Sequence, residues 1–408
     1  MTSTPHTGPL HLAVALDGAG WHPAANPPAT DGAVLTARYW REQVRLAEEA
    51  GADLVTLDDS FGPPADVAGR RRPRLDAHVL AASLATVTSR IGLVPTITTT
   101  HTEPYHVAIR TATLDHASRG RSGWQPRVSL SPADARLTGL REAPDLTGLD
   151  RAELVASAAV QEVFDEAAAV VETVRDTWDS WEDDAVIRDV ATGRFLDADR
   201  LHRVEAEHRW FSVAGPSVVP RPPQGQPPVV ALAHATVPYL FAARAADVVV
   251  VTPFDVDDAA QIVAEVRQAE AEADRSGEPL RILADLVVVL GEDRRAAVTR
   301  LGELEAAAPG GRASDADLLA GSAAEVADHL EALRAVGIQG VRLRPAQNSV
   351  DLPLLRDALV PELVRRGLRL PDYRGETLRE HLGLDRPANR FLDGRAQAVR
   401  DRLVQPAL

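Results

Sequence analysis

Short apolar runs alternate with longer stretches of helical periodicity along almost the whole chain. The runs cover residues 10–16, 54–57, 91–94, 122–130, 229–232, 248–251, 282–290 and 340–343. Strands that alternate with helices favour a parallel sheet, because each return to a parallel strand needs a crossover connection. Eight is also the number of strands that closes such a sheet into a cylinder. The sequence therefore predicts an α/β fold, a (β/α)8 TIM barrel.

The stretches between the runs carry the signals of helices. Apolar spacing predicts helices over residues 33–50, 151–181, 238–245, 257–276 and 354–366, and another that begins near Pro104. Gly51 follows the first of them, at a position where glycine commonly ends a helix. Ser322 and Glu325 form a capping box, in which each side chain satisfies a backbone amide of the other residue.

Two segments depart from this alternation. Over residues 182–228, before the fifth strand, periodicity fades while charge and proline rise, and a loop of this length is usually a lid, a binding loop or a small subdomain. We expect it to fold over one end of the barrel. Residues 371–408 are a C-terminal extension, expected to wrap the outside or a partner subunit. Barrels often exceed the usual domain length, so residues 1–408 are interpreted as a single domain.

Two residue types are missing from the composition. The chain has no cysteine, which excludes disulfides, thiolate nucleophiles and Cys-ligated metals. It also has no lysine, which excludes Schiff-base aldolases, pyridoxal-phosphate enzymes and Walker-type phosphate loops. The formal net charge of −15 disfavours nucleic-acid binding.

The N-terminal residues show no secretory signal pattern. No window approaches the roughly 20 apolar residues that cross a bilayer, so we expect no membrane contact and a cytoplasmic protein. Arginines 70, 71, 72 and 74 form the one basic cluster, which is interpreted as a solvated loop or as a means of steering anionic ligands toward the barrel mouth.

Polar side chains follow the predicted strands, at the rim where barrel enzymes keep their chemistry. The densest group is the hydroxyls and imidazole of residues 96–101, after the third strand. The other members of this predicted mouth are Asp17, Asp59, Ser60, residues 123–125, residues 234–236, Thr252 and residues 342–347.

Three long segments resemble a known family. TTHTEPYHVAIRTATLDHASRGRSGW (residues 99–124) is similar to the core signature of the bacterial-luciferase-like flavin-dependent monooxygenases. Residues 177–225 and 361–390 resemble long segments of the branch that contains nitrilotriacetate, dibenzothiophene-sulfone and pristinamycin monooxygenases. The resemblance extends over most of residues 10–390.

The resemblance implies an FMN-dependent monooxygenase that takes reduced FMN from a separate flavin reductase and uses O2 to oxygenate a small organic substrate. It implies flavin contacts from Asp59, Thr98 and Thr236, and we add Thr99, Gln125 and His234 to the predicted cofactor-binding set. A hydroxyl at a helix N-terminus suits a phosphate group. The resemblance also implies a homodimer or a higher homo-oligomer.

His101 is the predicted catalytic residue, because a neutral imidazole near the flavin can donate or relay a proton at pH 7. An alternative is that His101 caps the helix that starts near Glu103. For Thr236 the alternative is an ordinary helix N-cap.

The sequence departs from the family pattern at several positions. The usual Ala-Gly-Ser-Ser turn is replaced at residues 233–238, the family's His and Tyr on the long helix are Val160 and Phe164, and a common Asn is Gln125. These changes leave two alternatives open. One is an F420-dependent oxidoreductase on the same barrel, and the other is a non-catalytic homologue that binds flavin or a small ligand.

Other motifs are weaker. His202, Glu205 and His208 do not have the spacing of a known zinc site, so no metal is predicted. Gly18 and Gly20 begin like a dinucleotide fingerprint, but no helix opens after them. The chain has no Gly-x-Ser-x-Gly elbow, so serine hydrolysis is not supported.

Overall fold

The computed structural model describes residues 6–62, 72–139, 142, 144, 148, 153, 157–309 and 314–392. The eleven strands are β1 His11–Leu16, β2 Leu54–Leu57, β3 Gly92–Thr98, β4 Gln125–Arg127, β5 Glu205–Glu207, β6 Ser212–Ala214, β7 Val230–Leu232, β8 Val248–Val251, β9 Arg281–Gly291, β10 Asp317–Ser322 and β11 Gly340–Pro345. All eight predicted strands are present, so the predicted element order is confirmed.

Eight parallel strands form a barrel in the order β4-β3-β2-β1-β11-β9-β8-β7. Between β4 and β7 the sheet is joined by a parallel bridge from Trp124 to Val229. Two backbone hydrogen bonds make this bridge, from Trp124 N to Pro228 O and from Val230 N to Trp124 O, each 3.0 Å long. The predicted (β/α)8 barrel is confirmed.

Helices pack around this sheet. They are α1 Asp31–Val34, α2 Ala37–Glu49, α3 Ala77–Ala85, α4 Pro104–Ser118, α5 Pro132–Thr138, α6 Ala158–Asp179, α7 Thr236–Ala245, α8 Val256–Glu272, α9 Arg294–Ala307, α10 Ala323–Ala335, α11 Asn348–Leu354, α12 Val360–Arg365 and α13 Leu378–His381. A single π-helical turn, Leu355–Leu359, joins α11 to α12. None of the described helices is both long enough and apolar enough to span a membrane.

Two predicted helix termini are observed, the start of α10 and the end of α2. Ser322 and Glu325 form both hydrogen bonds of the capping box at the start of α10. Gly51 follows α2 with φ of 71°, the left-handed conformation that glycine adopts without strain. The predicted helix over residues 151–181 is observed as α6, while residues 151, 152 and 154–156 lie outside the described part of the chain.

Two of the three apolar clusters lie on opposite sides of the barrel sheet, because successive side chains of a strand face opposite sides. One set faces the helices and forms the larger cluster. The other set fills the amino-terminal end of the barrel interior with Ala13, Leu54, Val94, Val248 and Leu283, among others.

The C-terminal extension closes this end of the barrel. Leu378, Leu382 and Leu384 are at most 5% exposed and pack against the interior cluster. A buried ion pair holds the segment, from Arg379 to Asp247 at 3.3 Å, and Arg369, just before it, binds Asp53 at 3.0 Å. The prediction that the extension wraps the outside is wrong for residues 378–384, because their leucines pack into the end of the barrel. Arg386 and Arg390 do lie outside the barrel, where they bind the insertion and α6. Residues 393–408 lie outside the described part.

The insertion begins at the same end. Arg221 binds Asp179, at the end of α6, with a 2.7 Å contact. Its two-stranded antiparallel hairpin, β5 with β6, then reaches the other end of α6, where Trp210 Nε1 donates to Glu162 at 3.2 Å. The insertion therefore runs along the outside of the barrel between its two ends.

Candidate functional site

Above the apolar layer the barrel interior becomes polar. Arg342 on β11 binds Asp285 on β9 through Nε at 3.0 Å and through Nη2. Its Nη1 also donates to Gln125 Oε1 on β4 at 3.2 Å. Because β4 and β11 are not neighbours in the sheet, this bond must cross the interior. The amide of Gln125 then donates to Thr96 on β3 at 3.0 Å.

A second arginine lies two residues further along β11. Arg344 Nη2 also binds Asp285, while its Nη1 donates to Asp315 Oδ1 at 2.7 Å. The guanidinium carbon lies 4.5 Å from the ring centre of Trp21, which is a cation–π geometry. Burial tends to lower the pKa of Arg344, but the charges of Asp285 and Asp315 outweigh it and raise the pKa above its usual value.

This charged layer is unusual for a barrel interior, which branched apolar side chains normally fill. The side chains of Arg342, Arg344 and Asp285 are each at most 5% exposed. Removing charges from water costs several kcal/mol per ion, so a buried cluster of this kind is poor evidence for a stability role. The cluster is therefore a candidate functional feature.

Asp59, Thr98 and Thr99, three of the predicted cofactor-binding residues, lie at the carboxyl ends of β2 and β3. Both oxygens of Asp59 accept backbone amides, from Ser60 and from Ala77 at the start of α3, each at 2.7 Å. Burial raises the pKa of Asp59 despite these bonds. Thr98 ends β3 and pairs in register with Arg127, whose carbonyl accepts from the Thr99 hydroxyl at 3.0 Å.

Gln125 and Thr98 are thus placed differently relative to the mouth. Thr98 stands at the carboxyl end of its strand and is 6% exposed. Gln125 lies deeper, within the network of Arg342, and both ends of its amide have partners. Gln125 can therefore act on a ligand at the mouth from the barrel interior, through its hydrogen bonds with Thr96 and Arg342.

His101 lies in the 3₁₀ turn after β3 and is 6% exposed. Its Nδ1 is 3.4 Å from the Thr138 hydroxyl of α5, and its ring meets Phe61 edge to face at 5.6 Å. These contacts lie away from the start of α4 and do not support the helix-capping alternative. Beside His101 is a cavity of about 240 Å³, lined also by Thr100, Ser129, Glu162 and Glu166.

His234 and Thr236 lie where β7 leads into α7, and both are exposed. The N-cap residue of α7 is Ala235, whose methyl side chain cannot accept a hydrogen bond from the first-turn amides. Thr236 is therefore the first helical residue, and its interpretation as the N-cap is wrong. The first-turn amides of this ten-residue helix lack the side-chain acceptor that Ser157 or Asp255 supplies to α6 or α8.

Val160 and Phe164, which replace the family's His and Tyr on α6, are both apolar residues. Phe164 meets Phe241 of α7 with ring centres 5.6 Å apart. Phe164 is also partly buried against the main core, so this position joins α6 to α7. Neither Val160 nor Phe164 can offer a polar side-chain contact to a ligand.

The basic cluster is partly described. Arg74 binds Asp17 and Asp58, each at 3.0 Å, and Arg72 binds Asp17 at 3.3 Å. Their side chains are no more than 17% exposed, so the interpretation of these two as part of a solvated loop is wrong. Arg70 and Arg71 lie outside the described residues.

Sequence reasoning missed Asp285, Asp315 and Trp21, and it left Arg342 and Arg344 without a role. A signal was present, since Asp285 is the one charged residue within the apolar stretch 282–290. Arg342 and Arg344 are separated by one residue in a strand, which places both on the same face.

The structure supports two groupings. Asp59 follows β2, Thr98 ends β3, and Thr99 and His101 lie in the turn after it. His234 and Thr236 follow β7. Burial tends to raise the pKa of Asp315, but Arg344 outweighs it and lowers that pKa, with a smaller contribution from His234. All of these predicted residues belong to the carboxyl rim, because each lies at or after the carboxyl end of a parallel barrel strand.

Comparison with known proteins gives the same family as the sequence. Residues 17–340 match the family model of luciferase-like monooxygenases. Nitrilotriacetate monooxygenase component A of Aminobacter aminovorans is 30% identical over 91% of this chain and 94% of the relative. N-acetyl-S-(2-succino)cysteine monooxygenase of Bacillus subtilis is 27% identical over 94% of this chain and 98% of the relative.

Solved structures share the fold. Long-chain alkane monooxygenase (LadA) superimposes with a TM-score of 0.79 at 24% identity, over 92% of this chain and 96% of that structure. An F420-dependent secondary alcohol dehydrogenase is more distant, with a TM-score of 0.59 at 17% identity over 89% and 100% of the two chains.

Proposed function

Because the chain belongs to the luciferase-like monooxygenase family, we propose that it is a flavin-dependent monooxygenase that uses reduced FMN and O2 to oxygenate a small organic substrate. A separate flavin reductase supplies the reduced FMN. The observation that carries this proposal is the family match over most of the chain, together with a polar barrel mouth at the rim where such folds keep their chemistry.

The residues at the start of α7 fit the phosphate of FMN. A helix N-terminus attracts anions through its free amides and its dipole. Here those amides are joined by the exposed Thr236 hydroxyl and the exposed His234 imidazole. We propose that His234 replaces the serine and glycine contacts of the usual family turn.

The remaining predicted residues are assigned to the ring end of the cofactor. Bound flavin supplies the redox chemistry, and the protein supplies orientation and proton transfer. We propose that Thr98, Thr99 and Gln125 orient the ring, with Asp59 fixing the loop after β2. His101, beside a cavity of about 240 Å³, holds or relays the proton that oxygenation requires.

Titration with FMN and with riboflavin tests the phosphate assignment without turnover. Wild-type protein is expected to prefer FMN, while Thr236→Ala and His234→Ala lose that preference and keep their affinity for riboflavin. Thr113→Ala, on the exposed face of α4, is the matched control. Equal preference for FMN in all four proteins contradicts this assignment.

Turnover assays separate the alternatives. Oxygen-dependent product formation that requires a reductase supports the proposal. Oxygen-independent reduction with F420 supports an oxidoreductase of that kind, and flavin binding without turnover of any substrate supports a non-catalytic homologue. The homodimer or higher homo-oligomer stays a prediction, which light scattering of the purified protein tests.

A further inference from the structure

We propose that Arg344 is the binding residue for a carboxylate of the organic substrate, and that Asp315 is an internal competitor for the same guanidinium. This inference deepens the proposed function, on which it rests, because it names the substrate class as small organic acids.

The charges of the buried layer do not balance. Arg342 and Arg344 bring two positive charges into the barrel interior, while Asp285 brings one negative charge. Arg342 engages both oxygens of Asp285. A buried cation without its own counter-ion is costly, so Arg344 needs a second anion.

Asp315 is the second anion that binds Arg344. Asp315 lies before β10, outside the barrel strands, and its side chain is 53% exposed against 5% for Arg344. The contact therefore joins a buried cation to a carboxylate that is half exposed to water. Such a partner can be exchanged for another carboxylate without opening the core. Asp315 also shows that a carboxylate fits here.

Arg344 has a hydrogen-bond donor that its two aspartates do not use. Its Nε is buried and has no hydrogen-bond partner among the described residues. The Trp21 ring covers a face of the guanidinium and leaves the N–H edges for acceptors in its plane. Trp21 is itself fixed, because its Nε1 donates to the Ala15 carbonyl at 2.8 Å. Guanidinium groups bind carboxylates best in paired N–H contacts.

An oxyanion at this position has two possible sources, the substrate and the phosphate of FMN. The exposed start of α7 already offers phosphate a site at Thr236. We therefore assign Arg344 to the substrate, and the experiment includes an arm for FMN.

The test measures binding of succinate and of its neutral dimethyl ester by calorimetry, without flavin and at constant ionic strength. Asp315→Asn removes the competitor and is expected to bind succinate about tenfold more tightly than wild type, which corresponds to about 1.4 kcal/mol. The ester is expected not to bind. The control Asp328→Asn makes the same charge change in a surface pair with Arg366 and is expected to match wild type.

Arg344→Gln is expected to weaken succinate binding at least tenfold, to about the level of the ester. Equal succinate affinity in Asp315→Asn and Asp328→Asn, or no binding by either, overturns the proposal. Asp315→Asn decides the question even if Arg344→Gln fails to fold, because Asp315 is half exposed.

The arm for FMN compares FMN with riboflavin. If Arg344→Gln loses the preference for FMN while succinate binding is unchanged, the anion is the flavin phosphate and the proposal is wrong. Neither the succinate titration nor the comparison of FMN with riboflavin measures turnover. A protein that fails to oxygenate any substrate would therefore refute the proposed function without changing the outcome of these binding tests.

Discussion

Leu378 is the side chain through which the C-terminal extension closes the amino-terminal end of the barrel, and its removal can be predicted quantitatively. It is fully buried among interior residues of the strands. A Cβ placed on Gly92 would lie 2.5 Å from Leu378 Cδ1, and one placed on Gly123 would lie 3.1 Å from Leu378 Cδ2. The leucine therefore occupies the space that two strand glycines leave open.

Leu378→Ala is expected to lower the free energy of unfolding by about 3 kcal/mol, through lost burial and the cavity left behind. Gly92→Ala is expected to cost about 1–3 kcal/mol, because the new methyl group overlaps the leucine. In the double variant the methyl group enters the space that Leu378 vacates. Its total cost is expected to be about 1–2 kcal/mol below the sum of the single costs.

Equilibrium urea unfolding, followed by circular dichroism and by tryptophan fluorescence, measures these costs, and coincident transitions establish two-state behaviour. Leu370→Ala, at a residue 43% exposed in the same part of the chain, is the control and is expected to change stability by less than about 0.5 kcal/mol. Additive costs in the double variant, or equal costs for Leu378→Ala and Leu370→Ala, would refute the packing argument.

Three further changes test other parts of the fold. Burial lowers the pKa of His11 from its usual value of 6.5 to about 4. Between these two pH values His11 is protonated in the unfolded chain but neutral in the folded protein, so the stability of the wild type decreases as the pH falls from about 6.5 to 4. In His11→Gln this fall in the unfolding free energy should be smaller by up to about 3 kcal/mol, measured by urea unfolding at each pH; identical profiles would contradict the assignment. Arg369→Gln leaves Asp53 buried without its cation and should cost about 3–5 kcal/mol, whereas Arg365→Gln, at an exposed residue, should cost under about 1 kcal/mol. Ser322→Ala removes the capping box and should cost about 1 kcal/mol, and an unchanged unfolding midpoint would show that the cap contributes nothing.

The strands were the most predictable part of this fold. The observed ends of β2 and β8 coincide with the predicted runs 54–57 and 248–251, because short apolar runs between breakers carry their own signal. By contrast, β10 and α9 were not predicted. The residues of β10 are mostly only partly buried, since this strand pairs with β9 outside the closed ring, so its sequence lacks a continuous apolar pattern.

The candidate site was only partly predictable. The rim positions of Asp59, Thr98, His101 and Thr236 follow from the strand ends, which any parallel barrel places at one rim. The helix-cap interpretation of Thr236 failed because the backbone, and not the residue type, makes Ala235 the cap.

The sequence alone determined the barrel class and the family, because strand and helix periodicity and the long family segments are local properties of the chain. Only the tertiary structure decided that Arg342, Arg344 and Asp285 meet inside the barrel and that Leu378 closes its other end. Those contacts join residues far apart in the chain, and closure of the sheet selects which face of each strand points inward. A local pattern cannot encode that choice.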